Sequence, residues 1–139
     1  EMRGVPLRLE VGPKDIQKNQ VVLVKRENRE KMFISMDELE TRVPQILEEI
    51  QHSLYQKALA HRERRTFKAA SLDEMESILN ATPGFIKAMW CGDEACEKAI
   101  KDRMAATARC IPFEQEKISD KCVCCGKEAK QMLYWGRAY

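Results

Sequence analysis

The feature that most constrains this chain is a set of closely spaced cysteines between Cys91 and Cys125. The first half reads Trp90-Cys91-Gly92-Asp93-Glu94-Ala95-Cys96, a C-x4-C. The second reads Lys121-Cys122-Val123-Cys124-Cys125-Gly126-Lys127 and contains a C-x2-C-G. Two such pairs, about two dozen residues apart, match the spacing of a four-thiolate tetrahedral zinc site. Thiolates are soft donors that neutralise a divalent ion and hold it tetrahedrally. Glycine after the last cysteine lets the backbone turn tightly, so that its amides point back at sulfur. Disulfides or buried apolar thiols are the competing readings, and the paired spacing favours metal over both.

Within the set, Cys91 and Cys96 have no competitors and Cys122 is fixed by position. Either Cys124 or Cys125 can complete the site. The two-residue spacing followed by glycine favours Cys125, which leaves Cys124 pointing away. Cys110, inside the apolar run Cys110-Ile111-Pro112-Phe113, reads as a core thiol. His52 and His61 lie far upstream in a helical stretch, lack ligand spacing, and read as part of a solvated helix face.

Composition narrows the class. With 139 residues the chain holds one medium domain or two small ones. A hydrophobic content of 44% beside 33% charged residues describes a globular chain, not a disordered tail. Net charge is only +2, so any nucleic-acid surface must be local. Six cysteines with no signal-peptide pattern point to a reducing, cytoplasmic compartment, and no apolar run approaches the roughly 20 residues needed to span a bilayer. The chain opens on Glu1 and enters a strand-like stretch almost at once, which reads as a cut through a larger polypeptide.

Taken in order, Leu7, Leu9 and Val11 alternate with Arg8 and Glu10, the period of a half-buried strand. Gly12-Pro13 ends it, Asp15 caps a short helical turn, and Gln20 to Arg26 reads as a continuous buried strand. Arg26 to Lys31 is a charged turn. Ser35-Met36-Asp37-Glu38 is a capping box that opens a long helix with Leu39, Val43, Ile46, Leu47, Ile50 and Leu54 on one face. Pro44 is expected to kink or restart that helix. Thr66 to Ala70 is a short strand, and Ser71-Leu72-Asp73-Glu74 is a second capping box. The helix after it presents Leu72, Met75, Ile78 and Leu79, and stops at Thr82-Pro83-Gly84. Phe85 to Trp90 is a strand that delivers Cys91. Asp93 caps a helix through about Thr107 with Cys96 in its first turn. Arg109 to Phe113 and Gln131 to Gly136 are the last strands. The class is α/β and α+β: a partial α/β layer over residues 1–65, then a small two-layer β-α-β-α-β-β domain over 66–139 with the four-cysteine zinc site clamping a strand-helix corner to the Cys122 knuckle.

Several stretches together resemble a known family. Gly4-Val5-Pro6-Leu7-Arg8-Leu9-Glu10-Val11-Gly12-Pro13-Lys14-Asp15, the strand Val21 to Arg26, the Cys91-Gly92…Cys96 pair, Cys110-Ile111-Pro112-Phe113 and the end Trp135-Gly136-Arg137-Ala138-Tyr139 are similar to the C-terminal part of prolyl-tRNA synthetase, of the archaeal/eukaryotic-like type. The resemblance covers essentially the whole chain. It implies that residues 1–65 end the anticodon-binding domain, that 66–139 form the C-terminal domain with a structural zinc ion, and that the class II catalytic core lies outside this chain. It implies that Glu1, Arg8, Lys14 and Asp15 read the two guanines of a proline anticodon, with Lys25 and Arg26 meeting phosphates or a base. The chemistry is sound, since arginine pairs with the O6/N7 edge of guanine and a carboxylate accepts from its N1 and N2 hydrogens. It also implies that the Tyr139 carboxylate approaches the active site of the catalytic domain. ATP would be a substrate bound outside this chain, the partner RNA would be tRNA(Pro), and the full-length enzyme would be a homodimer. In this sequence the doubled Cys124-Cys125 departs from relatives with a C-x-C at the knuckle, which bears on the fourth ligand.

No residue here is expected to perform aminoacylation, because the chain has no phosphate-cradling glycine loop and no nucleophile–base pair. The alternative is a free-standing RNA-binding or scaffold module built on the same folds. A thiol redox protein using Cys122 and Cys125 is a third reading, disfavoured by the neighbouring Cys91/Cys96 pair.

Overall fold

The computed structural model describes residues 2–138, so the expectations attached to Glu1 and Tyr139 lie outside the described residues. The chain divides into two compact units, Glu1–Leu59 and Ala60–Tyr139. That division falls inside a helix, ahead of the 65/66 boundary expected above.

In the first unit, β1 (Leu7–Glu10), β2 (Gln20–Lys25) and β3 (Lys31–Ser35) form an antiparallel sheet in the order β1-β2-β3. The short helix α1 (Pro13–Gln17) fills the β1–β2 connection. Its Pro13 sits where a missing N–H costs nothing, and Asp15 accepts from the Gly12 amide at 3.0 Å. Helix α2 (Leu39–Arg64) follows a 3-10 turn at Met36–Glu38. Leu7, Val21, Leu23 and Ile34 from one sheet face pack with Ile46 and Ile50, and Leu39 and Val43 close the edge. The opposite sheet face carries Arg8, Val22, Val24, Lys31 and Phe33, by the strand alternation.

A carboxylate ties the β2–β3 turn to α2. Glu27 accepts from Lys57 Nζ at 2.8 Å and from Ser53 Oγ at 2.9 Å. The Lys57 ammonium, then the Ser53 hydroxyl, holds the Glu27 carboxyl below its ordinary range. A lowered folded value means the tie stabilises the fold above the unfolded pKa of about 4.3 and is lost as pH falls through the folded one. Acid unfolding of Glu27→Gln, followed by circular dichroism, should therefore be less steep with pH than that of the parent chain.

In the second unit, β4 (Thr66–Lys68), β5 (Phe85–Trp90), β6 (Ala106–Cys110) and β7 (Gln131–Arg137) form a mixed sheet in the order β4-β5-β7-β6. The pair β4–β5 is parallel, joined by α3 (Leu72–Ala81), and the remaining pairs are antiparallel. Ser71 Oγ accepts from the Glu74 amide at 3.2 Å, while the Glu74 carboxylate reaches back to the Ala70 amide at 2.8 Å. Asp93 caps α4 (Glu94–Met104) through the Ala95 amide at 3.0 Å. Met75 and Leu79 of α3 and Ile100 and Met104 of α4 pack on Ile86, Ala88, Leu133 and Trp135. Gly84 is required for strand pairing: a Cβ there would lie 2.3 Å from the Arg65 carbonyl oxygen. Gly84→Ala should cost about 1–3 kcal/mol through forced backbone movement. Both tryptophans, Trp90 and Trp135, belong to this unit, so their fluorescence in a denaturant titration reads that loss directly.

Several expectations are corrected. The stretch Lys31–Ser35, to which the sequence pattern assigns no element between the charged turn and the capping box, is the strand β3; Ile34 packs inward and Phe33 outward. Leu9 and Val11 are 47% and 53% exposed, so β1 buries only Leu7 of the three alternating residues. The stripe on α2 is narrower than expected, since Leu47 and Leu54 are exposed. Ser35 accepts from the Asp37 amide instead of pairing with Glu38, and α2 continues through Pro44 without a second start. Strand β6 begins at Ala106 and ends at Cys110, not Phe113. Cys110 is exposed, not a core thiol. The reason is a bulge between Ala108 and Cys110: Ala108 pairs with Trp135 and Cys110 with Tyr134, so Arg109 is the extra residue and Cys110 is thrown onto the face away from the helices.

Candidate metal centre and basic sheet face

Four thiols converge at one end of the second unit. Cys91 follows the last residue of β5, Cys96 occupies the first turn of α4, and Cys122 and Cys125 stand on a turn closed by the Lys121–Glu128 bridge. That turn is sewn to β5 by the Val123 amide on Met89 O at 2.9 Å and the Lys130 amide on Trp90 O at 2.8 Å. The sulfurs of Cys91, Cys96, Cys122 and Cys125 all lie within 4.8 Å of one another. Cys91 is 3.7 Å from Cys96 and 3.7 Å from Cys125, too far for a disulfide bond of about 2.05 Å. A tetrahedron with zinc–sulfur bonds of about 2.3 Å has an edge of about 3.8 Å, so the spacing fits a tetrathiolate ion.

The two knuckles repeat one local device. In Cys91-Gly92-Asp93 and Cys125-Gly126-Lys127 the glycine takes a positive φ, 91° at Gly92 and 71° at Gly126. In each, the amide two residues after the cysteine favours the thiolate form of its sulfur. Burial pushes the Cys91 and Cys96 thiols up, whereas the Lys127 amide brings Cys125 down to about 7. Three buried sulfurs beside an exposed one cannot all ionise without a cation among them. The cluster can hold a metal ion.

Cys125, not Cys124, falls within the set of four. Cys124 does not point away as expected: it is half-buried and packs against the same cluster. His52 and His61 are exposed on α2.

The expected RNA-contacting residues lie in the first unit. Arg8, Val24 and Lys31 are register partners across β1, β2 and β3, forming one row on the face opposite α2. A cleft of about 550 Å³ there is lined by Val5, Arg8, Val24, Lys25, Arg26, Arg29 and Lys31. It gathers three of the residues singled out in the sequence, Arg8, Lys25 and Arg26. Arg29 and Lys31 were missed; the charged turn Arg26 to Lys31 was their only signal, and only the β2–β3 pairing brings them to Arg8. Arg8 pairs with Glu10. Lys25 is held by Glu49 at 3.1 Å and Glu30 at 3.5 Å, and the Glu49 bond raises its pKa. Lys14 is exposed, and Asp15 has each oxygen engaged, by Gly12 N and by Gln20 Nε2 at 3.2 Å.

Among the described residues no helix is long and apolar enough to cross a membrane. Residues 72–139 match the family described as "Prolyl-tRNA synthetase, C-terminal", and residues 1–46 match "Anticodon binding domain". A proline–tRNA ligase of Clostridium novyi is 61% identical over all 139 residues, and a proline–tRNA ligase 2 of Bacillus thuringiensis subsp. konkukian is 59% identical over the same span. In each case the chain spans 29% of the relative's length. Among solved structures, prolyl-tRNA synthetase from Cryptosporidium parvum complexed with L-proline and AMP superposes with a TM-score of 0.89 at 39% identity, over 99% of this chain and 29% of that one.

Proposed function

The chain belongs to the prolyl-tRNA synthetase family, as its anticodon-binding and C-terminal regions, and from that premise we propose that it forms the tRNA-reading end of a proline–tRNA ligase. The observation that carries this is the pair of family matches in chain order, over residues 1–46 and 72–139. On this reading residues 1–65 end the anticodon-binding domain and 66–139 form the zinc-stabilised C-terminal domain. Proline and ATP react in the catalytic domain of the same polypeptide, outside these residues. The full enzyme works as a cytoplasmic homodimer, with Tyr139 directed to the active site.

Arg8 supplies bidentate donors to one guanine of the proline anticodon. Asp15 accepts from the other guanine; each carboxylate oxygen keeps a lone pair beyond its bond to Gly12 or Gln20. Lys14 and Glu1 flank that base, and Lys25 and Arg26 neutralise phosphates. Since Lys25 is already paired with Glu49 and Glu30, Arg26 carries more of that task. Cys91, Cys96, Cys122 and Cys125 hold zinc. Its role is structural, because four thiolates leave no position for water or substrate.

The test is binding of this chain to tRNA(Pro) and to the same tRNA with both anticodon guanines replaced. The cognate RNA should bind more tightly by roughly 1–3 kcal/mol per changed base, with similar salt dependence on both. Equal affinity for the two would remove anticodon reading from this chain.

A further inference from the structure

The open face of the first sheet carries an aromatic side chain that its fold does not use. Phe33 on β3 is 69% exposed, while its neighbour Ile34 is buried against α2. Phe33 is the register partner of Val22, whose other partner is Glu10, so it stands one row from Arg8, Val24 and Lys31 on the same face. On its other side it lines a cleft with Lys18, Asn19 and Gln20. Gln20 is the residue that bonds Asp15. The ring therefore lies between the basic row and the Asp15 carboxylate.

We propose that Phe33 is a stacking platform for an unpaired base of the RNA loop drawn to this face. The inference rests on the tRNA reading above. A single exposed phenylalanine is ordinary on a protein surface; its position is what distinguishes this one. Single-stranded loops present bases with free π-faces, and proteins capture them by placing an aromatic ring beside cations that meet the backbone. Arg8, Arg26, Arg29 and Lys31 supply the positive field on one side of the ring. Lys18, Asn19 and Gln20 supply polar groups in the cleft on the other. An apolar protein partner would meet charged groups on both flanks, so RNA is the occupant that this surface fits.

The test uses the whole chain and a hairpin RNA carrying the proline anticodon loop, with 2-aminopurine in the loop as the stacking reporter. Phe33→Ala should weaken binding roughly 5–150-fold, the worth of one stacked base, and restore the 2-aminopurine fluorescence that the wild-type protein quenches. Phe33→Trp should recover both affinity and quenching, whereas Phe33→Leu should recover neither. The dependence on salt should be unchanged, because stacking releases no counterions. Thermal stability should also be unchanged for a ring this exposed. If Phe33→Ala and Phe33→Leu bind as wild type while the wild-type chain still discriminates anticodons, this inference alone is overturned. A wild-type chain that binds no RNA overturns the tRNA reading and the stacking role together. Dissociation of a dimer by Phe33→Ala at unchanged RNA affinity would assign the ring to a second copy instead, and also overturns it.

Discussion

Cys96→Ser should strip the metal from the second unit and lower its unfolding temperature by about 12 °C or more. Serine matches the shape of cysteine but offers no soft thiolate, so a tetrahedral ion would be left with three sulfurs. Cys96 is one of the three buried thiols of the proposed site. It is 5% exposed, sits in the first turn of α4, and bonds through its amide to Asp93 O at 3.0 Å, where the chain turns from β5 into the helix. Structural zinc typically contributes more free energy than a small domain's whole net stability. Even a loss of about 3 kcal/mol, at 4–8 °C per kcal/mol for a domain of this size, gives the shift stated. Plasma mass spectrometry should find about one zinc per wild-type chain and well under one in the variant. The two tryptophans report the melting of this unit, because both belong to it. Cys110→Ser is the control: its thiol is exposed on β6 and outside the cluster, so metal and melting should be unaffected. An intact zinc content in Cys96→Ser would exclude it as a ligand.

Arg8→Ala should weaken binding to tRNA(Pro) by roughly 1–3 kcal/mol while sparing an RNA with both anticodon guanines replaced. In the free protein the Arg8 guanidinium rests on Glu10, with 66% of its side chain exposed. Surface pairs of that kind contribute about 0–1 kcal/mol. A bidentate bond to guanine exceeds that, so leaving Glu10 for the RNA is favourable. A base contact predicts loss of discrimination at an unchanged salt slope; a phosphate contact predicts equal losses on both RNAs and a slope smaller by about one ion. Arg26→Ala should follow the second pattern. Equal weakening of both RNAs by Arg8→Ala would reduce it to a backbone contact. Asp15→Ala is a poorer probe, because Asp15 also caps α1 and bonds Gln20. Its loss would disturb the fold and the base contact together.

Much of both units was legible in the sequence because the signals are local. Ser71 and Asp93 cap the helices they were expected to open, since a side chain two or three residues from an amide needs no distant partner. The run Val21 to Val24 is buried, as an unbroken apolar stretch requires. Where the local signal is ambiguous, the sequence pattern assigns no element. Lys31-Met32-Phe33-Ile34-Ser35 holds three successive apolar residues beside a capping serine, which suits a helix start as well as a strand. Pairing with β2 decides for the strand.

The sequence by itself determined that Cys91, Cys96 and the Cys122 knuckle are built to converge. Glycine after a cysteine and paired short spacings constrain the backbone within a few residues. It also determined where helices begin and that strand, helix and strand recur after residue 66. The two-residue spacing and the following glycine already favour Cys125 over Cys124, and the docking of the knuckle on Met89 and Trp90 brings the Cys125 sulfur into the 4.8 Å set. Only the β6 bulge turned Cys110 outward, against a two-residue alternation that would have kept it with Ala106 and Ala108. The basic row is likewise a product of register: Arg8 and Lys31 are 23 positions apart and meet across Val24 because three strands pair in one alignment. Caps and turns are settled by neighbours along the chain, whereas faces, registers and shared sites are settled by partners that the chain brings from far away.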